Sequence, residues 1–255
     1  QGKLLGVQLL SSADTISHVD AVRASNSFWK SFAGWQPNSE PFPKIEAVGG
    51  STLTSLAMTE AVERRLTEKT VSRRFPQSLS LREVQALFPK AATFKADDPR
   101  QGWFRVGDST GATLGFELRT APHADNIRGY RGPTESLMAI SPDGRKVLMV
   151  KLWNSYDTPE YVDRVNEDSD YLALLANRTL EDWRKLDFAK AGIEGVSGAT
   201  QTSYAVADGI RKRLMADELL ARADSGSWRK SIRTFGLLGI VLGALWMTFG
   251  PMRTM

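Results

Sequence analysis

The amino-acid sequence predicts an α+β protein: two copies of one small unit, each an antiparallel sheet with helices on one side, the first truncated at its N-terminus, followed by one transmembrane helix. Three observations predict this. Ile45-Glu46-Ala47-Val48-Gly49-Gly50-Ser51-Thr52-Leu53-Thr54-Ser55 recurs as Ile193-Glu194-Gly195-Val196-Ser197-Gly198-Ala199-Thr200-Gln201-Thr202-Ser203, identical at seven of eleven positions, and a repeat of that length implies a duplicated unit. Upstream, Leu5 to Thr15 lines up with Leu148 to Thr158, ending Asp14-Thr15 against Asp157-Thr158, and Val19-Asp20 matches Val162-Asp163. Residues 234–252 carry no charge over nineteen positions; at ~1.5 Å rise per residue they reach about 28 Å, the thickness of a bilayer core.

The elements follow in order. The first copy, 1–66, reads as a strand at Lys3 to Leu10, helical segments from Val19 to Phe32, a proline-rich loop at Pro37 to Pro43, then the small-residue turn and a helix to about Glu68. It has no counterpart to the roughly seventy residues that precede the matching strand in the second copy, hence the expectation of a truncated domain. Residues 67–78 are basic and polar, as in a linker. The second copy, 79–223, opens on Ser80-Leu81-Arg82-Glu83, the spacing of a capping box, for a short helix ending at Phe88-Pro89. Strands are expected at Thr93 to Ala96, Trp103 to Val106, Thr113 to Arg119, Leu137 to Ile140 and Val147 to Trp153, with turns at Gly107 to Gly111 and Ser141 to Gly144. The helix after Thr200 is expected to run through Arg222, breaking near Asp224-Ser225-Gly226 in a juxtamembrane linker, 224–233.

Composition narrows the function. A net charge of +4 with scattered basic residues argues against nucleic acid as a partner. With no cysteine and only His18 and His123, the chain does not itself ligate an iron–sulfur cluster and is a poor structural zinc site. No catalytic triad or carboxylate pair stands out, and no catalytic residue is assigned. Trp35 and Trp183 are expected in the cores, Arg211-Lys212-Arg213 to complement a helix dipole, and both histidines at the surface or in loops.

The repeated turn carries the chemistry. Ser197-Gly198-Ala199-Thr200 opens a helix with small side chains and exposed backbone N–H groups, which together with the helix dipole favour a phosphate. Thr200, Thr202 and Ser203 add hydroxyls, and Thr200 can carry a phosphoester. Ser109-Thr110-Gly111-Ala112-Thr113 ends in the same three letters, yet lies between two strand-like runs and reads as a hairpin turn.

The ordered set Leu114-Gly115-Phe116, Gly129-Tyr130-Arg131-Gly132-Pro133, Asp143-Gly144, Asp157-Thr158-Pro159 and Val196 to Ser203 resembles the FMN-binding domains of respiratory flavoproteins. That family includes the NosR/NirI-type membrane flavoproteins, which this chain resembles most, and the flavin subunits of the Rnf complex and the sodium-pumping NADH:quinone reductase. The resemblance covers 79–214, with a partial second instance in 1–66. It implies FMN joined through its phosphate to Thr200 by a flavin transferase. Ser197, Gly198, Ala199 and Ser203 would form the turn, and Gly129, Tyr130, Gly132 and Thr158 would line the flavin. The family commonly carries Asp where this chain has Glu194. In the first copy Thr52 is retained as a second attachment site, with Thr15 in the place of Thr158, but Gly49 and Ser51 replace the Ser and Ala of the motif.

The resemblance thus implies a membrane-anchored flavoprotein passing electrons in a respiratory chain to a quinone or iron–sulfur partner, an electron-transfer component of an oxidoreductase system. It also implies soluble domains outside the cytoplasm on an inner membrane, although Arg229, Lys230 and Arg233 before the span would favour a cytoplasmic N-terminal side. The alternative is a membrane-tethered sensor or assembly module without redox activity.

Overall fold

The computed structural model describes residues 2–37, 40–97, 100 and 102–217. Residues up to Arg213 form one compact unit, and a second begins at Leu214. Among the described residues no helix is long and apolar enough to cross a membrane. The expected span at 234–252 lies outside them, as do the expected helix end at Arg222 and the linker 224–233.

The sheet is a five-stranded antiparallel meander in chain order: β1 (Thr93–Ala96), β2 (Trp103–Gly107), β3 (Thr113–Arg119), β4 (Thr134–Ile140) and β5 (Val147–Ser155). The residues around Thr110 do form the β2–β3 hairpin turn, where Asp108 Oδ1 accepts from the N–H of Thr110 at 2.9 Å and of Ala112 at 3.0 Å. Every residue of β4 is buried. Strand alternation puts Leu137 and Ala139 on one face, against Val84, Leu87 and Phe88 of the preceding helix and cap, while Met138 and Ile140 are fully buried on the other. The expectation of a sheet covered on one side is therefore corrected: a central strand apolar at both parities needs cover on both faces. Gly115 in β3 makes the approach on one side possible, because a Cβ there would collide with Ile140 O and lie 2.9 Å from the Phe88 ring.

Among the described residues seven bounded helices accompany the sheet. α1 (Ile16–Ala24), α2 (Asn26–Lys30) and α3 (Thr52–Thr67) lie in the first repeat; α4 (Leu81–Leu87), α5 (Pro159–Glu167), α6 (Ser169–Leu175) and α7 (Leu180–Arg184) lie in the second. An eighth, α8, begins at residue 200 and is helical to residue 217. The Ser80 capping box forms, Ser80 N–H donating to Glu83 Oε2 at 2.9 Å. Trp35 and Trp183 are buried as expected.

One local expectation fails, and two other segments are tied into the fold more closely than their sequence suggests. Lys3 to Leu10 is not a strand: among the described residues its backbone pairs through Leu4 alone, with Trp35 O and Gly34 N at 2.8 Å each, and Leu5 and Leu10 are 94% and 85% exposed. The matching segment of the second repeat is β5, hydrogen-bonded along its length to β4; without such a neighbour an extended segment has no ladder to join. The stretch 67–78 lacks strand and helix beyond Thr67, as a linker should, but it is pinned rather than loose. Arg73 pairs with Glu63 at 2.7 Å, Arg74 pairs with Glu60 at 2.5 Å and reaches Asp125 O, and Phe75 is buried. Finally, the basic run on α8, expected to complement a helix dipole, also ties that helix to its surroundings. Arg213 is buried with its Nε 3.0 Å from Arg119 O, Lys212 bonds Asn126, and Arg211 pairs with Asp208 and covers the Phe188 ring.

Candidate functional site

The two turns have the same internal wiring. In the second, Ser203 Oγ accepts from Val196 N–H at 3.0 Å and reaches Thr200 O at 2.9 Å. In the first, Ser55 Oγ accepts from Val48 N–H at 3.0 Å and reaches Thr52 O at 3.0 Å. Both serines are fully buried, so these hydroxyls hold the backbone rather than face a ligand. Gly50 and Gly198 sit at the same point of each turn with φ of +72° and +75°, a conformation that strains any residue with a Cβ. Thr200 and Thr52 are then the first residues of α8 and α3, and both are exposed.

Asp157 ties the second turn to the rest of the predicted site. Its carboxylate accepts from Thr202 Oγ1 at 2.7 Å, from Tyr130 N–H at 2.9 Å, from Arg131 N–H at 2.7 Å and from Thr158 N–H at 2.8 Å. Burial alone would raise its pKa, but these four donors outweigh burial and hold the carboxyl below the usual range. Gly129 and Gly132 are required by this docking: a Cβ on Gly129 would collide with Asp157 Oδ2, and one on Gly132 with Tyr156 O. The Gly-Tyr-Arg-Gly loop, the Asp-Thr-Pro turn and the start of α8, distant in sequence, are thereby gathered around one carboxylate. Asp14 is the counterpart in the first repeat, accepting from Thr54 Oγ1 at 2.6 Å and Thr15 N–H at 2.7 Å.

Of the hydroxyls expected at the second turn, Thr202 and Ser203 are engaged within the protein. Thr200 Oγ1 is held only at 3.5 Å from Val196 O and stays accessible. Ser197 and Gly198 are exposed beside it and Ala199 is buried. A Cβ on Gly198 would lie 3.0 Å from an Arg164 guanidinium nitrogen, so a cation flanks the turn. Among the described residues Thr158 Oγ1 is buried without a hydrogen-bond partner, and Tyr130 is half exposed with its ring edge-to-face against Tyr161 at 5.1 Å. Thr15 is exposed. An accessible hydroxyl at a helix N-terminus, with a guanidinium beside it and an unsatisfied hydroxyl nearby, is a donor set that suits a phosphate ester and its polar body. The sequence motif included Asp157 but only Thr158 was given a role, although the alignment of Asp157 with Asp14 at the same place in both repeats was the available signal. Among the described residues no group of carboxylates and histidines could hold a metal.

Comparison with protein families agrees with this geometry. Residues 129–214 match the FMN-binding domain family, so the chain carries an FMN-binding domain that opens on the Gly-Tyr-Arg-Gly loop and includes Asp157, Thr158 and Thr200. Among solved structures, the crystal structure of Shewanella oneidensis NqrC is similar, with 18% identity and a TM-score of 0.30 over 48% of this chain. The alignment spans 63% of the length of that chain. No curated protein matches.

Proposed function

We propose that this chain is an electron-transfer flavoprotein that carries FMN joined by a phosphoester to Thr200 and is anchored by a membrane helix at 234–252. The observation that carries the reading is the position of Thr200: within the FMN-binding match, it puts an accessible hydroxyl at the first position of a helix. Attachment requires a flavin transferase, with FAD as donor and AMP displaced as the new oxygen–phosphorus bond forms. Helix N–H groups at 200–202 and Arg164 would receive the phosphate. Ser197, Gly198 and Ala199 leave room for it, and Gly129, Tyr130, Gly132 and Thr158 would border the flavin body. When bound, the flavin supplies one- or two-electron storage. The protein's part is to fix it beside a rigid sheet and present it to a quinone or iron–sulfur partner. The division into a first unit at 1–66 and a second at 79–223, soluble outside the cytoplasm, belongs to the same proposal.

The test is production of the full chain with and without the transferase. Flavin fluorescence that survives a denaturing gel and disappears in Thr200→Val is the expected result. A colourless protein from cells containing the transferase would overturn the reading in favour of a tethered sensor or assembly module.

A further inference from the structure

The stretch after α3 crosses to the second repeat at a point where charge is crowded and mostly buried. Arg74 holds Glu60 of α3 at 2.5 Å and donates to Asp125 O, while the N–H groups of Arg73 and Arg74 both reach Glu60 Oε1, at 2.7 and 3.1 Å. Asp125 lies in the turn between β3 and β4 and is only 3% exposed. Ser72 is hydrogen-bonded to its carboxyl group, but among the described residues Oδ2 is buried with no hydrogen-bond partner. A buried carboxyl oxygen without a donor is unfavourable, and the penalty falls mainly on the ionised form.

The groups that face Asp125 come from every element packed around it. The linker brings Ser72 and Arg74, α3 brings Glu60 with Arg64 beyond it, β4 brings Glu135, and α8 brings Lys212. Burial, with Glu60 and Glu135 adding to it, outweighs Ser72 and Arg74 and pushes the Asp125 pKa up to about 6 from 3.8. His123, in the same turn, adds no charge near that pH, because burial and the cations Arg213, Arg64 and Lys212 push its pKa down to about 4. Both cations nearest the carboxyl are already engaged, Arg74 with Glu60 and Lys212 with Asn126. An ionised Asp125 competes for them, since a carboxylate is a stronger acceptor than the main-chain oxygen Arg74 now uses, and it also repels Glu60.

We propose that Asp125 is a proton-operated latch between the first repeat and the sheet: neutral, it leaves Arg74 to clamp α3 through Glu60, and on releasing its proton to solvent it draws Arg74 and Lys212 to itself and loosens that clamp. The direction with pH follows from the raised folded value. The latch contributes fully below the unfolded value of 3.8, and its contribution is lost as pH rises through about 6. Arg128, in the loop that follows the turn, meets Asp14 of the first repeat at 3.7 Å, so a looser clamp also slackens the contact between that loop and the first repeat. The latch does not depend on Thr200 carrying a flavin.

The experiment follows amide hydrogen exchange in the full chain between about pH 5 and about pH 7.5, each rate corrected for the intrinsic pH dependence of exchange. The reporters are the Arg73 and Arg74 amides, which Glu60 holds, read against amides of β4 in the same sample so that changes in global stability cancel. In the parent, reporter protection relative to β4 is expected to fall about tenfold with a midpoint near pH 6. Asp125→Asn should abolish the fall, and Glu117→Gln should leave it. Ser72→Ala removes a hydrogen bond that favours the ionised form and should move the midpoint up by about half a unit, a readout that stands even if Asp125→Asn does not fold. The latch is overturned if the parent's relative protection is flat over this range, if Asp125→Asn retains the fall, or if Ser72→Ala leaves the midpoint in place or lowers it.

Discussion

The turns at 45–55 and 193–203 share a frame and differ in what surrounds it. Ser55 and Ser203 close their turns with the same bonds, and Asp14 and Asp157 each accept from the threonine one turn into the following helix. Around the second turn, Asp157 also gathers the backbone of Tyr130 and Arg131. Around the first, Asp14 meets the side chain of Arg128 from that same loop. One loop thus serves both repeats, with its main chain toward one aspartate and a guanidinium toward the other. The bonds inside the turn and the aspartate–threonine bond are kept in both copies, while the contacts made with the shared loop differ.

The strongest test of this asymmetry is removal of the aspartates. Asp157→Ala strands four donors in a closed setting and is expected to cost roughly 4 kcal/mol by denaturant unfolding, whereas Asp14→Ala, partly solvated, should cost about 1 kcal/mol. Equal costs would break the comparison. The Asp157 contribution should also fade on acidification, because a carboxyl with a depressed pKa loses its advantage as pH falls through the folded value.

A second contrast comes from the sheet, which only the second repeat possesses among the described residues. Glu117 lies in β3 beside Ala139, fully buried, with neither carboxylate oxygen hydrogen-bonded among the described residues. Burial, with Glu83 adding to it, pushes its pKa up to about 7 from 4.5. The unfolded chain releases this proton first, so stability should decline as pH rises from about 4.5 and level off above about 7. Glu117→Gln should remove that slope and gain roughly 3 kcal/mol at pH 8, read from urea midpoints across pH. A parent protein with no such slope would refute the buried, unpaired state.

The smallest effect sharpens the shared frame itself. Ser203→Ala and Ser55→Ala break matching bonds at equally buried sites, so each should cost about 1–2 kcal/mol. A difference larger than about 1 kcal/mol would mean that the turns only look alike.

The bounds of β1 and β3, the capping box at Ser80 and the hairpin turn at Asp108 were all legible in the sequence, because each is set by residues within a few positions of one another. Lys3 to Leu10 misled for the opposite reason. Its likeness to β5 describes a strand, but a strand also needs a neighbour, and pairing is not written in the segment that pairs. At the candidate site, Thr200 was found through its motif. The part played by Asp157 was hidden because its partners come from separate stretches of the chain.

Arg74 has a bearing on how the protein comes apart. With one hand on Glu60 of α3 and the other on Asp125 O beyond β3, and with its main-chain carbonyl accepting from Tyr156 Oη, it couples the melting of the first repeat to that of the sheet. The region up to Arg213 is therefore expected to denature in one cooperative step, with calorimetric and van't Hoff enthalpies in agreement. In Arg74→Ala the first repeat would become a separate, less stable foldon whose amides exchange ahead of those in β3 and β4.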